Sequence, residues 1–198
     1  DKSYRPMNAL LLKLLNTHPD FSLSLSITGT FIDQAQKWAP DVLNDFKQLV
    51  DTGRVEILSE TYYHSLAYFY SPQEFERQVA MHRDKIREVF GVETKVFRNT
   101  ELAYNDTLAK WAENSGYTGV IAEGWDKILH GKTPNQTYKA TGTDKLGLLL
   151  KNYRLSDDLA FRFSDKGWSQ WPLTPETYIK WADNAMSDGS IVNLFMDY

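Results

Sequence analysis

The chain has 198 residues, 42% of them hydrophobic, with 22 basic and 26 acidic side chains and a formal net charge of −4. That length suits one domain whose core removes about 70% of the unfolded chain's surface from water. The acidic balance argues against a nucleic-acid or anionic-membrane partner, and the absence of cysteine excludes a disulfide framework, a thiolate zinc site and a cysteine nucleophile.

In chain order, Leu10, Leu11, Leu12, Leu14 and Leu15 mark a helix that ends around His18-Pro19-Asp20. Phe21 to Ile27 alternates apolar residues with serines and predicts a strand with one covered face. A helix follows Pro40, with Val42, Leu43, Phe46, Leu49 and Val50 at helical spacing and Gly53 as its C-cap. Val55 to Leu58 is the next strand. Ser71-Pro72-Gln73-Glu74 is a capping box that opens a helix running to Phe90 and stopping at Gly91. Lys95 to Arg98 reads as a strand, Leu108 to Ser115 as a helix, Thr118 to Ala122 as a strand and Leu146 to Lys151 as another. Gly131 to Gly147 is expected to be a loop. Thr174-Pro175-Glu176 starts a helix through Met186, and Ile191 to Met196 is a last apolar strand. Strands separated mostly by helices favour a parallel sheet or barrel in a single domain. No run is long and apolar enough for a membrane helix, no signal-peptide pattern is visible, and the expected location is cytoplasmic.

In a parallel barrel the working residues follow the C-terminal ends of the strands. Here those positions hold Ser59 to Ser65, Arg98 to Asp106, Glu123 to Asp126, Lys151 to Asp158 and Asp197-Tyr198, a concentration of carboxylates, rings and amides suited to acid–base work on a polyhydroxylated ligand. Several of these residues have structural readings. Asp106, Asp157 and Asp158 precede helical turns as caps. His82, between Met81 and Arg83-Asp84-Lys85, reads as part of a solvated helix face. His64 divides evenly between ligand contact and structural hydrogen bonding. The high aromatic content, with six Trp and eleven Tyr, serves a core or sugar-stacking surfaces.

Four scattered histidines, with no His-x-x-x-His or His-Glu-x-x-His pair, argue against a catalytic metal. No Gly-x-Ser-x-Gly elbow or phosphate-binding glycine loop is present, and no cofactor is expected. A pair of carboxylates remains, and cleavage of a glycosidic bond is the chemistry such a pair serves best.

At these strand-end segments the sequence resembles glycoside hydrolase family 57, and more narrowly its α-amylase-like branch. The resemblance is carried by Gly53 to Ser65 (GRVEILSETYYHS), Phe97 to Asp106 (FRNTELAYND), Leu148 to Asp158 (LLLKNYRLSDD) and Val192 to Tyr198 (VNLFMDY), with Phe21 to Gln34 and its Ser-Ile-Thr-Gly centre as a further match. It implies an incomplete (β/α)7 barrel, a distorted relative of the TIM barrel, with about six of seven parallel strands present over residues 1–198. The family's first-strand His-Gln-Pro motif, its fifth motif and the helical region beyond the barrel have no counterpart. The chain is therefore expected to be an internal piece of a longer protein, inactive alone. The implied activity is retaining hydrolysis of α-glucans, with Glu101 as nucleophile and Asp197 as acid/base. Glu60, His64, Trp125 and Tyr62 are implied to line the sugar-binding face, with Asp126 accepting a hydroxyl. The alternatives are a polysaccharide deacetylase-like barrel, which would need an Asp and two close histidines on a metal, and a glucan-binding relative without turnover.

Overall fold

The chain divides after Glu101 in the computed structural model, which describes residues 2–198: one unit runs to Glu101 and includes Tyr198, and the other spans Leu102–Asp197. In the first unit, α1 (Tyr4–Thr17), β1 (Leu23–Leu25), α2 (Gly29–Trp38), α3 (Pro40–Asp51), β2 (Val55–Ile57), α4 (Pro72–Phe90) and β3 (Val96–Arg98) follow one another. β1 and β2 pair in parallel with Leu23 opposite Val55 and Leu25 opposite Ile57. β2 is carried on towards β3 by a parallel bridge between Ser59 and Phe97, in which Ser59 N–H donates to Val96 O and Arg98 N–H to Ser59 O, each at 2.8 Å. Helices cover this sheet because parallel strands cannot be joined by tight turns. Leu25, Ile27, Ile32, Leu43, Phe46, Leu49, Ile57 and Ile86 form the core.

Two helices show how local chemistry sets this frame. In α4 the Ser71 hydroxyl accepts the Glu74 N–H, Pro72 occupies the first turn and Gly91 closes the helix at φ 70°, a left-handed backbone that glycine adopts without strain. Its buried stripe is Phe75, Gln78, Val79, His82, Ile86, Val89 and Phe90. His82 therefore corrects the sequence reading of a solvated face: it is fully buried and its Nε2 lies 2.8 Å from Ile27 O. Helical spacing outweighs the charge of its sequence neighbours. α2 follows the strand expected over Phe21 to Ile27 and is a helix for which the sequence reading gave no element. Thr28 caps it by accepting the Phe31 N–H at 3.0 Å, and its start packs so closely that a Cβ on Gly29 would lie 2.4 Å from the Tyr62 ring.

The second unit contains α5 (Asp106–Asn114), β4 (Gly119–Glu123), α6 (Asp126–Leu129), β5 (Tyr138–Lys139), β6 (Gly147–Lys151), α7 (Tyr153–Asp157), a π-helical turn over Asp158–Arg162 and α8 (Pro175–Met186). β4 and β6 pair in parallel from Gly119–Gly147 to Glu123–Lys151. β5 pairs antiparallel with β6, inside the stretch expected to be a loop. The Glu113 carboxylate ties down that stretch by accepting the N–H groups of Asp144, Lys145 and Leu146 at 2.7–3.0 Å. The last predicted strand, Ile191 to Met196, is reduced to one parallel bridge, Asn193 with Lys151, and Leu194 and Met196 remain exposed. The expected caps shift as well. Asn105, not Asp106, accepts the Leu108 N–H at 2.8 Å, while Asp157 approaches Lys151 at 3.7 Å and Asp158 binds Arg162 at 2.6 Å. Among the described residues, no helix is long and apolar enough to cross a membrane.

Candidate active site

The parallel register of β1, β2 and β3 brings the residues after their C-terminal ends together. Ser26 follows β1, Glu60 follows β2, Arg98 closes β3, and Glu101 lies in a one-turn 3-10 segment, Thr100–Leu102. The Glu60 side chain is 1% exposed. One of its oxygens accepts the Ser26 hydroxyl at 2.6 Å, and the other lies 3.3 Å from His64 Nδ1 and 3.5 Å from an Arg98 Nη1. Arg98 Nη1 is also 3.1 Å from His64 Nδ1, and His64 Nε2 lies 3.1 Å from Glu101 Oε1. A hydrogen-bonded chain thus runs from a buried carboxylate through an imidazole to an exposed one.

Burial is the largest influence on Glu60 and acts to raise its pKa. Hydrogen bonds from His64 and Ser26, with the Arg98 charge, outweigh it and hold the carboxyl below its usual value. The His64 pKa is raised, first by its bond to Glu60, against partial burial and the Arg98 charge, and with further support from Glu101. Backbone geometry marks His64 and Glu101: His64 has φ 52° and Glu101 φ 57°, with Leu102 next to it at φ 54°. Left-handed backbone at a non-glycine residue costs roughly 1 kcal/mol and concentrates where side-chain direction matters. The turn holds Glu101 outward at the end of β3, its side chain 73% exposed.

Of the sequence candidates, Glu60, His64 and Glu101 are thus brought together. Tyr62, in the same unit, is 6% exposed and donates its hydroxyl to Asp33 at 2.6 Å, and it packs edge-on against Tyr63. Burial, and then that bond, push the phenol above its usual pKa. Trp125, Asp126 and Asp197 lie in the second unit. The Trp125 ring is 48% exposed, with Lys127 Nζ 5.2 Å from its centroid. Asp126 accepts from Arg154 and from the Tyr153 hydroxyl, which hold its carboxyl below the usual range. It borders a cleft of about 570 Å³, lined also by Pro134, Asn135, Asn152, Ala185 and Asp188. Asp197 is exposed, in a segment fixed by the Asn193 bridge and by Phe195 N–H donating to the Ser156 hydroxyl at 3.1 Å.

Sequence reasoning did not single out two participants of this cluster. Ser26 lay on the serine face of the predicted strand, the face that turns to Glu60, and that alternation was the available signal. Arg98 ended a predicted strand and lay inside the matched Phe97 to Asp106 segment, but was given no role of its own. Within the second unit, sequence reasoning also did not single out Glu123 at the end of β4, whose pKa is raised by burial and by Asp157, against Lys151 at 3.8 Å and the Gly124 N–H.

A family model described as "Glycosyl hydrolase family 57" matches residues 1–198. The chain belongs to this family. A Methanocaldococcus jannaschii protein named "Putative alpha-amylase" is 45% identical over 199 residues, covering the whole chain and 42% of that relative. The structure of 4-alpha-glucanotransferase from Thermococcus litoralis superposes on 98% of this chain and 29% of its own, with a TM-score of 0.73 at 19% identity. A GH57-type branching enzyme from Pyrococcus horikoshii gives 0.64 at 13% identity, over 78% of this chain and 42% of its own. At such identities the structures speak for the fold, which is of the (β/α)7-barrel type. The chain spans less than half the length of each of these relatives.

Proposed function

We propose that the protein hydrolyses α-glucosidic bonds in α-glucans with retention of configuration, Glu101 acting as nucleophile and Asp197 as acid/base. The observation that carries this reading is Glu101 itself, a carboxylate turned outward on a left-handed backbone at a strand end and held at one oxygen by His64. Membership of the family over the whole chain supports it, as do the amylase and glucanotransferase names of its relatives. We also propose that residues 1–198 form most of one distorted barrel.

In the first step Glu101 attacks the anomeric carbon as the glycosidic C–O bond breaks, and the proton on Asp197 passes to the leaving oxygen. In the second, Asp197 takes a proton from water, the water oxygen bonds the anomeric carbon, and the electron pair of the ester bond returns to Glu101. A retaining pair needs its carboxyl groups roughly 5–5.5 Å apart. In the full-length protein Glu101→Gln should lower turnover on soluble starch on the order of 10³-fold or more. Turnover equal to wild type would overturn the assignment, and a product anomer opposite to the substrate's would overturn retention.

A further inference from the structure

Glu60 is the one carboxylate of this cluster withdrawn from solvent, and its partners explain what it does there. His64 Nε2 faces the Glu101 carboxylate, which in its ionised form only accepts, so Nε2 carries a proton. This holds in either state of the other ring nitrogen. With Nδ1 unprotonated, the imidazole accepts from Arg98 Nη1 at 3.1 Å; with Nδ1 protonated, it donates to Glu60 at 3.3 Å. In the second state two cations, Arg98 and His64, balance two carboxylates, Glu60 and Glu101. In both states the ring donates to Oε1 of Glu101, which leaves Oε2 as the oxygen free of that bond.

We propose that Glu60 is a positioning residue: acting through His64, it fixes the Glu101 carboxylate so that Oε1 is held by the imidazole and Oε2 is the atom that meets the anomeric carbon. This rests on the reading of Glu101 as nucleophile. It changes the role of Glu60 from a sugar contact to a support beneath the site, as 1% exposure and bonds to Ser26, His64 and Arg98 require. The hold serves both halves of the reaction. Oε1 stays fixed while Oε2 forms the ester, and the Nε2–H stabilises the carboxylate again when water displaces it.

The charged groups facing the imidazole are Glu60 beyond β2, Arg98 of β3 and Glu101 after it. From α4, His82 influences Glu60, and burial lowers the His82 pKa. The raised His64 pKa, caused first by Glu60, agrees with the arrangement.

The test combines NMR titration of the His64 imidazole with turnover of maltooligosaccharides, both in the full-length protein. Glu60→Gln should lower the His64 midpoint and reduce kcat on the order of 10- to 100-fold, with KM within about twofold; Glu60→Asp should restore part of kcat. An unmoved midpoint, an unchanged kcat, or a loss confined to KM would overturn the proposal. Should Glu60→Gln not fold, His64→Asn, at a half-exposed position whose left-handed backbone asparagine tolerates, should show the same loss in kcat alone, and wild-type kcat there would equally overturn it. Glu101→Gln separates the two ideas. Full turnover in that variant defeats the nucleophile assignment, whereas the His64 midpoint in Glu60→Gln judges the positioning chain by itself.

Discussion

Each unit sets a carboxylate beyond a strand end against an arginine, and the two arrangements behave differently. Glu60 meets Arg98 with side chains 1% and 11% exposed, whereas Asp126 meets Arg154 with side chains 46% and 71% exposed. In the first, water cannot replace a lost partner, so Ser26, His64 and Arg98 must all be in place and orientation is enforced. In the second, solvent substitutes for either partner and the pair enforces little. The shorter ion pair is thus the weaker constraint, and distance alone would rank the two wrongly.

The largest effect that would sharpen this contrast lies under the first cluster. Phe97 is fully buried, edge-on to Phe75 at 5.9 Å, immediately before Arg98. Phe97→Ala should cost about 4 kcal/mol in urea unfolding. A loss below about 1 kcal/mol would mean that the strand end is not packed as described.

Next is Glu60 itself. Glu60→Ala removes one partner from a buried charge network and should cost about 3 kcal/mol. Its pH signature has a definite sign. Glu60, with its pKa lowered from 4.5, contributes stability above that pH and loses the contribution as pH falls through its folded value. His64, with its pKa raised from 6.5, contributes below that pH and loses the contribution as pH rises through its folded value. Their joint contribution is therefore greatest between pH 4.5 and 6.5, and the difference in urea midpoint between the wild type and Glu60→Gln should show this hump. Glu123 of the second unit has a raised pKa and opposite sign: it favours the fold below pH 4.5 and loses that contribution as pH rises. Glu123→Gln should therefore leave the hump in place.

A smaller effect is expected at Gly29, where a Cβ would meet the buried Tyr62 ring. Gly29→Ala should cost on the order of 1–3 kcal/mol, because the ring must give way; no change in unfolding midpoint would show that Tyr62 is not fixed.

How far the sequence anticipated this structure follows from the range of the interactions involved. α4 was legible because its start, stripe and stop are all local: Ser71, the apolar spacing and Gly91. His82 sat on that stripe, and the same spacing would have buried it had the adjacent charges not been weighed more heavily. α2 was missed because Ile27-Thr28-Gly29 looks like a strand meeting a turn, although Thr28 followed by Phe31, Ile32 and Ala35 carries a cap and a buried face. The family resemblance named Glu101 as nucleophile and Glu60 and His64 as sugar contacts, and the structure brings the three side chains together, but contact with a ligand and support beneath it leave the same sequence trace. Only burial distinguishes them, and burial of Glu60 depends on β1 and β3, which lie more than thirty residues away on either side.

The smallest effect tests the exposed end of the comparison. Asp126→Asn keeps the shape of the side chain while removing the charge that faces Arg154, with the Tyr153 hydroxyl still able to donate to the amide oxygen. Thermal unfolding of this variant should match the wild type in molar salt and differ only slightly at low ionic strength, because screening already removes most of an exposed pair. A salt-independent drop as large as that of Glu60→Ala would mean that Asp126 is held as firmly as Glu60. Burial would then no longer be the property that separates the two sites.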